Sequence, residues 1–148
     1  MLKKQNIDSL NMLQKFSREF LQHILSKKPE AAIVVALSGD LGAGKTTFVQ
    51  FLAKDLGITE TVVSPTFNII KIYPIENSRF KKLIHMDAYR IDDLSELKPL
   101  GLEGFLQDKD NLVCIEWAEK IKEVLPKTTT YLDFSIKTDE TREIITKV

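Results

Sequence analysis

Residues 39–47 have the types and spacing of a phosphate-binding loop. They read Gly-Asp-Leu-Gly-Ala-Gly-Lys-Thr-Thr and satisfy the pattern G-x-x-x-x-G-K-[ST]. Glycines let the backbone curl tightly, so that successive N–H groups point inward at one phosphate. We expect Lys45 to reach the β- and γ-phosphates of a nucleotide, and the Thr46 hydroxyl to ligate Mg²⁺. The predicted nucleotide-binding residues of the loop are Leu41, Gly42, Ala43, Gly44, Lys45, Thr46 and Thr47.

The segments on either side of this loop predict the strand and the helix that such a loop requires. Before it, residues 31–37 form a continuous apolar run rich in β-branched side chains, which is typical of a strand buried on both faces of a parallel sheet. After it, residues 46–56 carry apolar side chains at helical spacing, and Gly57 ends the predicted helix. The positive end of that helix dipole would face the phosphates.

Two carboxylates follow apolar strands farther along the chain. Asp87 comes after the run at residues 83–86, and Glu116 comes after the run at residues 111–115. In an open α/β sheet, ligands bind beyond the carboxyl ends of the strands. We therefore expect one carboxylate to hold Mg²⁺, directly or through water, and the other to position or deprotonate the attacking water. The residue types alone leave open which carboxylate takes which role.

Thr66 is a further candidate catalytic residue, in the loop formed by residues 64–67. Its hydroxyl would sense the γ-phosphate as part of a switch segment that Mg²⁺ orders and hydrolysis releases. The alternative is a simple turn, because Ser and Pro are common turn residues.

The remaining pattern predicts a single α/β domain over residues 1–148. Residues 9–26 form an amphipathic helix with Asp8 or Ser9 as its N-cap. Residues 69–73 and 83–86 predict antiparallel neighbouring strands. The other predicted elements are a short helix from Asp92 or Asp93 to Leu97, broken by Pro99 and Gly101, a helical turn at residues 102–106, a helix at residues 119–125, and a C-terminal β-hairpin of residues 131–136 and 144–148 that carries Arg142. We expect a mixed sheet, parallel plus antiparallel, flanked by helices.

Composition limits the classes of partner and location. Among 148 residues, 21 Lys and Arg balance 21 Asp and Glu, which argues against a broad electrostatic grip on nucleic acid and leaves only a local basic patch open. The single cysteine, Cys114, excludes an internal disulfide. Apolar stretches fall short of the roughly 20 residues that span a bilayer, and no signal-type core follows the first six residues. We expect a cytoplasmic protein without membrane contact.

Taken with these features, five short segments in a fixed order closely resemble the TsaE (YjeE) family, the small bacterial ATPase required for threonylcarbamoyladenosine modification of tRNA. The first segment is common to many NTPases, whereas all five together in a chain this short are specific. The segments are the loop at residues 39–47, Ser-Pro-Thr-Phe at 64–67, His-Met-Asp-Ala-Tyr-Arg at 85–90, Glu-Leu at 96–97 with Gly101, and Ile-Glu-Trp at 115–117.

The resemblance assigns roles that the residue types left open. It implies that residues 41–46 cradle the phosphates of ATP, and that Thr46 and Glu116 hold Mg²⁺. It also implies that Asp87 is needed for hydrolysis and that Thr66 belongs to a loop resembling switch I of GTPases.

Two further nucleotide contacts follow from the resemblance. In the family, the start of the first helix and an arginine of the last hairpin lie near the nucleotide, which points to Ser9 and Arg142. Thr141 stands before Arg142 here, where the family pattern predicts a glycine.

The resemblance also implies partners. A protein of this family does not itself transfer the threonylcarbamoyl group, but joins a complex with TsaD and TsaB and contacts tRNA only indirectly. ATP binding and hydrolysis would reset that complex between turnovers, and hydrolysis by the isolated protein would be slow. Neutral net charge agrees with a protein partner.

Three alternatives compete with this interpretation. A small-molecule or nucleoside kinase needs an arginine-bearing lid and a substrate-binding insertion, and the chain has little room for either. A GTPase is disfavoured because no [NT]-K-x-D run is present. A nucleotide-regulated binding module without essential hydrolysis belongs to a different class, and Asp87→Asn would leave its function intact.

Overall fold

The structure is a computed structural model that describes residues 2–65, 69–76 and 78–147. Within these ranges, no helix is both long enough and apolar enough to cross a membrane. The strands there are β1 (Leu2–Ile7), β2 (Ile33–Ser38), β3 (Ile70–Pro74), β4 (Lys82–Asp87), β5 (Asn111–Glu116), β6 (Thr130–Ile136) and β7 (Arg142–Lys147). The α-helices are α1 (Leu10–Leu25), α2 (Lys45–Asp55), α3 (Leu97–Leu100) and α4 (Leu102–Gln107), and 3-10 helices span Leu94–Glu96 and Ala118–Val124.

The described strands form one mixed sheet in the order β1-β7-β6-β2-β5-β4-β3. Neighbours in the central group β6-β2-β5-β4 run parallel, whereas β3, β7 and β1 pair antiparallel at the two sides. Leu37, one residue before the end of β2, lies opposite Glu116, and Glu116 lies opposite Asp87. The carboxyl ends of three strands therefore form one row. The predicted fold class is confirmed, including the antiparallel β3–β4 pair and the terminal hairpin.

Helices cover both faces of the central strands, which is why β2 is apolar throughout. Val35 and Leu37 pack into one core with α1 and α2, whereas Val34 and Ala36 pack into a second core with α3 and α4. Successive side chains of a strand point to opposite faces, so a strand between two helical layers needs apolar residues at every position.

Phe48, in the first turn of α2, packs this helix against its neighbours. Its ring centroid lies 5.8 Å from that of Phe16, 5.6 Å from that of Phe20 and 5.8 Å from that of Phe134. Aromatic pairs at these separations add about 0.5–1.5 kcal/mol beyond area burial. The cluster joins α1, α2 and β6, so it fixes the position of the loop that precedes α2.

Strand β1 was not expected from the sequence. Residues 3–6 read Lys-Lys-Gln-Asn, which lacks the alternation of apolar and polar side chains that predicts a strand. The segment pairs antiparallel with β7 at the side of the sheet, from Leu2 opposite Lys147 to Ile7 opposite Arg142. An edge strand with charged side chains resists pairing with other chains, and this composition hides it from pattern analysis.

Two helix predictions were wrong in detail. Pro99 does not break its helix but lies inside α3, because the N–H groups of a first helical turn have no intrahelical partner and a proline is tolerated there. The predicted break at Gly101 is confirmed, since the helix ends there with a φ of 75°. The helix predicted at residues 119–125 is the 3-10 helix Ala118–Val124, with a non-helical φ of −126° at Ile121.

Candidate functional site

The loop between β2 and α2 requires glycine at its turning points. Gly39 has a φ of 130° and Gly44 a φ of 109°, conformations that other residues rarely adopt. A Cβ atom added to Gly39 would lie 2.1 Å from the carbonyl oxygen of Phe134. Sequence thus dictates this backbone locally, since only glycine combines these φ angles with so close an approach.

Lys45 is held within the loop. Its side chain is almost fully buried, its Nζ donates a hydrogen bond to the Gly39 carbonyl, and the same atom lies 4.1 Å from the centroid of the Trp117 ring. Trp117 follows β5 with a φ of 56°, a left-handed conformation that is uncommon for a large residue. The ammonium group therefore sits between the loop and the end of β5, where it faces the cavity described next.

A cavity of about 620 Å³ joins the loop to the ends of β4 and β5. This volume is in the range of small-molecule sites. The cavity brings together the loop and both carboxylates that the sequence singled out, so three of the predicted components share one site. Its lining residues are Leu41, Gly42, Gly44, Lys45, Thr46, Thr47, Ser64, Asp87, Tyr89, Glu116 and Trp117.

Thr46 and Glu116 are in direct contact. The Thr46 hydroxyl lies 2.9 Å from Oε1 and 3.0 Å from Oε2 of Glu116, whose side chain is only a few per cent exposed. A hydroxyl and a carboxylate side by side offer the hard oxygen ligands that Mg²⁺ prefers. The described residues contain no cluster of three or more acidic, His or Cys side chains suited to a metal. This donor set therefore fits Mg²⁺ shared with phosphates better than an ion bound by protein alone.

Asp87 occupies the neighbouring strand end. Its Oδ1 accepts a hydrogen bond of 2.9 Å from the Tyr89 backbone N–H, and its Oδ2 accepts one of 3.2 Å from the Ser64 hydroxyl. Because Asp87 and Glu116 are register partners on adjacent strands, their Cα atoms lie about 4.8 Å apart. The two carboxylates thus lie side by side. Glu116 accepts a hydrogen bond from Thr46, and Asp87 accepts one from Ser64.

His85 is a site residue that the sequence reasoning missed. The imidazole is fully buried, and its Nε2 lies 2.6 Å from Oε2 of Glu116. The signal was present in the strand pattern, because His85 is two residues before Asp87 and alternate residues of a strand share a face. Pattern alone does not reveal that this face meets Glu116, which depends on the β4–β5 register.

Ser9 and Arg142 lie on the opposite side of the loop. They line a second cavity of about 220 Å³ together with Gly42, Gly44 and Thr47. The Ser9 hydroxyl accepts a hydrogen bond of 3.1 Å from the Met12 N–H, which confirms Ser9 as the N-cap of α1. The structure therefore brings both residues beside the loop, although they are 133 residues apart in the chain.

Thr66 lies outside the residues that the structure describes. Its neighbour Ser64 lines the larger cavity and contacts Asp87. A role for the Thr66 hydroxyl therefore stays a prediction.

Comparisons with known proteins find one family and one shared fold. Residues 7–144 match the family model described as "Threonylcarbamoyl adenosine biosynthesis protein TsaE". The tRNA threonylcarbamoyladenosine biosynthesis protein TsaE of Bacillus subtilis is 46% identical over 112 residues, covering 75% of this chain and 66% of the relative, slightly under two thirds of its length. The protein of the same name from Haemophilus influenzae is 37% identical over 120 residues, covering 81% of this chain and 73% of the relative.

A solved structure shares the fold. The crystal structure of YdiB from Bacillus subtilis superposes with a TM-score of 0.76 at 32% sequence identity, and the match covers 99% of this chain and 84% of that one. The match extends over nearly the whole chain, so it includes the loop at residues 39–47 and the terminal strands β1 and β7.

Proposed function

The chain belongs to the TsaE family, and on that premise we propose that it is a Mg²⁺-dependent ATPase of tRNA threonylcarbamoyladenosine biosynthesis. The observation that carries the proposal is the arrangement of Thr46, Glu116 and Asp87 beside the phosphate-binding loop in one cavity. Phosphoryl-transfer enzymes use such a loop to bind phosphates, and they use carboxylates beside it to hold the metal ion and to position the attacking group.

Phosphate binding falls to the loop and to Lys45. Backbone N–H groups of residues 41–46 and the N-terminus of α2 would donate to the phosphates. Lys45 now donates to the Gly39 carbonyl, and in the complex its ammonium would turn to the β- and γ-phosphates. Thr47, at the end of the same turn, would complete the nucleotide contact.

Thr46 and Glu116 are the residues that would hold Mg²⁺. A bound Mg²⁺ supplies charge neutralisation for the phosphate oxygens as the γ-phosphoryl group departs. Glu116 accepts the hydrogen bond of the Thr46 hydroxyl, and both residues line the cavity, so their oxygens are available to one ion there.

Asp87 is the catalytic residue that we assign to the attacking water. Its carboxylate is oriented by the Tyr89 N–H and the Ser64 hydroxyl, so it can accept a proton from water or position that water for attack in line with the leaving group. Thr66, two residues after Ser64, is proposed to sense the γ-phosphate from the same loop.

Ser9 and Arg142 are proposed to contact the remainder of the nucleotide. Their cavity adjoins Gly42 and Gly44 on the side of the loop away from Asp87. A nucleotide whose phosphates enter the loop would extend its sugar and base toward one side of it, and the guanidinium of Arg142 offers a charged donor there.

The proposed partners are TsaD and TsaB, with tRNA contacted only through them. Leu41 is 89% exposed and Tyr89 is 52% exposed at the mouth of the larger cavity. Exposed apolar side chains at a catalytic mouth favour a protein partner that covers them, and zero net charge disfavours a direct grip on RNA. Hydrolysis by the isolated chain is accordingly expected to be slow, and the tRNA pathway gives it a cytoplasmic location.

The proposal is tested by tRNA threonylcarbamoylation over many turnovers with TsaD, TsaB and threonylcarbamoyl-adenylate supplied. We expect wild-type protein to sustain turnover past the first cycle, and we expect Asp87→Asn to bind ATP yet stop after that cycle. Equal support by Asp87→Asn would make nucleotide binding, rather than hydrolysis, the active step. Wild-type protein that performs like a reaction without it would refute the assignment.

A further inference from the structure

The buried imidazole of His85 contacts Glu116, the residue proposed to ligate Mg²⁺. His85 is 0% exposed, and its Nε2 lies 2.6 Å from Oε2 of Glu116. An ionised carboxylate only accepts hydrogen bonds, so Nε2 is the nitrogen that carries the donated proton. The other ring nitrogen, Nδ1, has no hydrogen-bond partner among the residues that the structure describes. The ring is therefore directed at Glu116 by its one polar contact in that part of the chain.

The backbone fixes both residues of this pair. His85 lies opposite Cys114 in the parallel β4–β5 register, and Asp87 lies opposite Glu116. Glu116 is thus the diagonal neighbour of His85 on the face that packs against α2. Both residues belong to central strands with partners on each side, so their separation is set by the sheet and not by a loop.

The Thr46 hydroxyl alone cannot fix the Glu116 carboxylate. Its oxygen lies within hydrogen-bond distance of both Oε1 and Oε2, yet a hydroxyl donates only one hydrogen. The carboxylate could therefore rotate while it keeps one bond to Thr46. A second donor at Oε2 restricts this rotation, since the carboxylate must then satisfy both donors at once. His85 supplies that donor, and its contact of 2.6 Å with Oε2 is shorter than either contact of the Thr46 hydroxyl with the carboxylate.

We propose that His85 is a positioning residue, which holds Glu116 in the orientation that ligates Mg²⁺; this inference rests on the function proposed above. His85 does not line the nucleotide cavity, so it acts through Glu116 and not on the nucleotide itself. Hydrogen-bond partners of metal ligands affect metal affinity by about 10- to 100-fold in proteins generally. Loss of the imidazole should therefore weaken the gain in nucleotide affinity that Mg²⁺ produces. The nucleotide affinity without metal should stay unchanged.

The test measures the affinity for a fluorescent, non-hydrolysable ATP analogue, in EDTA and across a series of Mg²⁺ concentrations. His85→Leu removes the donor, whereas His85→Gln places an amide N–H₂ close to the position of Nε2. We expect His85→Leu to need about 10- to 100-fold more Mg²⁺ for the same gain in affinity, with an unchanged Kd in EDTA. His85→Gln should restore most of the response. His23→Leu, the same change at the exposed other histidine, should match wild type.

Each result is decisive. A wild-type response in His85→Leu, an equal loss with and without Mg²⁺, or failure of His85→Gln to recover would overturn the positioning role. A wild-type protein indifferent to Mg²⁺ would instead refute the proposed Mg²⁺ site, and this inference with it.

A second measurement covers a His85→Leu protein that does not fold. The chain has two histidines, so His23→Leu labelled with ¹⁵N-histidine has a single imidazole. Its Nε2 signal should show a protonated nitrogen and should shift when Mg²⁺ is added to the ADP-bound protein. An Nε2 signal that is unprotonated or unmoved by Mg²⁺ would overturn the proposal.

Discussion

Arg142 contacts the hairpin and the phosphate-binding loop through backbone carbonyls. Its Nη1 donates to the carbonyls of Thr138 and Thr141, each at 3.1 Å, and its Nε donates to the Gly42 carbonyl at 3.4 Å. Within the described residues, it forms no ion pair with a carboxylate. These contacts hold the guanidinium beside the loop, in a cavity that Asp139 and Glu140 also line. An anionic ligand in the adjoining cavity would therefore gain a charged donor that is already in position.

Arg142→Ala should weaken ATP binding with little effect on folding. Hydrogen bonds to charged groups contribute about 1.5–3 kcal/mol, which corresponds to a rise in Kd of about 10- to 150-fold. Titration calorimetry with ATP measures this change. Lys137→Ala is a matched control in the same hairpin, because Lys137 pairs with Glu143 at 3.3 Å and lies outside the cavity. If both variants bind ATP like wild type, Arg142 has no role in nucleotide recognition.

Residues of the site differ in how far sequence alone could identify them. Thr46 is part of a contiguous motif, and Asp87 and Glu116 follow apolar runs whose ends must meet in a parallel sheet. These three were predicted, and the structure brings them into one cavity. His85 was not, because it is 31 residues from Glu116 in the chain and their contact depends on how β4 and β5 are aligned. Strand register is a long-range property that a local pattern does not contain.

At the scale of elements, the turn from β2 into the loop depends on contact with β6. Gly39 approaches the Phe134 backbone so closely that a Cβ atom would overlap its carbonyl oxygen at 2.1 Å. Gly57, after α2, also has a positive φ, of 85°, but an added Cβ would meet nothing within 4 Å. Both glycines therefore have a positive φ that other residues rarely adopt, but only Gly39 lacks space for a side chain.

Gly39→Ala should destabilise the protein more than Gly57→Ala does. Left-handed backbone costs a non-glycine residue about 1–2 kcal/mol in either variant, and the overlap at Gly39 adds about 1–3 kcal/mol because the backbone of β6 must shift. Urea unfolding of the two variants and wild type measures the difference in the free energy of unfolding. Equal losses would show that β6 yields to the added methyl group without cost.

Elements with internal signals were predictable, whereas elements defined by their neighbours were not. Strand β2 is apolar throughout because helices cover both of its faces, and α1 repeats apolar residues at helical spacing. Strand β1 has neither signal, since it is a polar edge strand that exists through its ladder with β7. Pro99 misled the prediction because its effect depends on its position in the helix, and only in a first turn does proline fit.

At the scale of the whole molecule, the two ends of the chain converge on the loop. Ile7 is the register partner of Arg142 in the β1–β7 ladder, and Ser9 begins α1 two residues later. The sheet therefore brings an N-terminal helix cap and a C-terminal hairpin to one side of the loop at residues 39–47. The central strands β4 and β5 end at its other side. The family resemblance pointed to Ser9 and Arg142 as separate residues, while the β1–β7 ladder that brings them together lay beyond pattern analysis.

Asp133 links the parallel and antiparallel parts of this sheet. It lies in β6, accepts a hydrogen bond from the Ser38 hydroxyl of β2, and pairs with Lys147 of β7 at 2.7 Å. Partial burial would raise the pKa of the Asp133 carboxyl, but the hydrogen bonds from Lys147 and Ser38 outweigh burial and lower it below its ordinary value. Because the pKa of this carboxyl is lower in the folded protein than in the unfolded chain, ionisation of Asp133 stabilises the folded state.

Asp133→Asn should consequently remove a pH-dependent part of the stability. A folded-state pKa below the unfolded value of about 3.9 contributes stability that is complete above that value and is lost as pH falls through the folded pKa. The variant should therefore be less stable than wild type at neutral pH, and the difference should shrink in strongly acidic solution. Thermal unfolding between pH 7 and pH 2 measures it, with Glu123→Gln as an exposed control. A difference that is constant with pH would assign the effect to packing, since only the loss of an ionised carboxylate at the β2–β6–β7 junction makes the stability titrate.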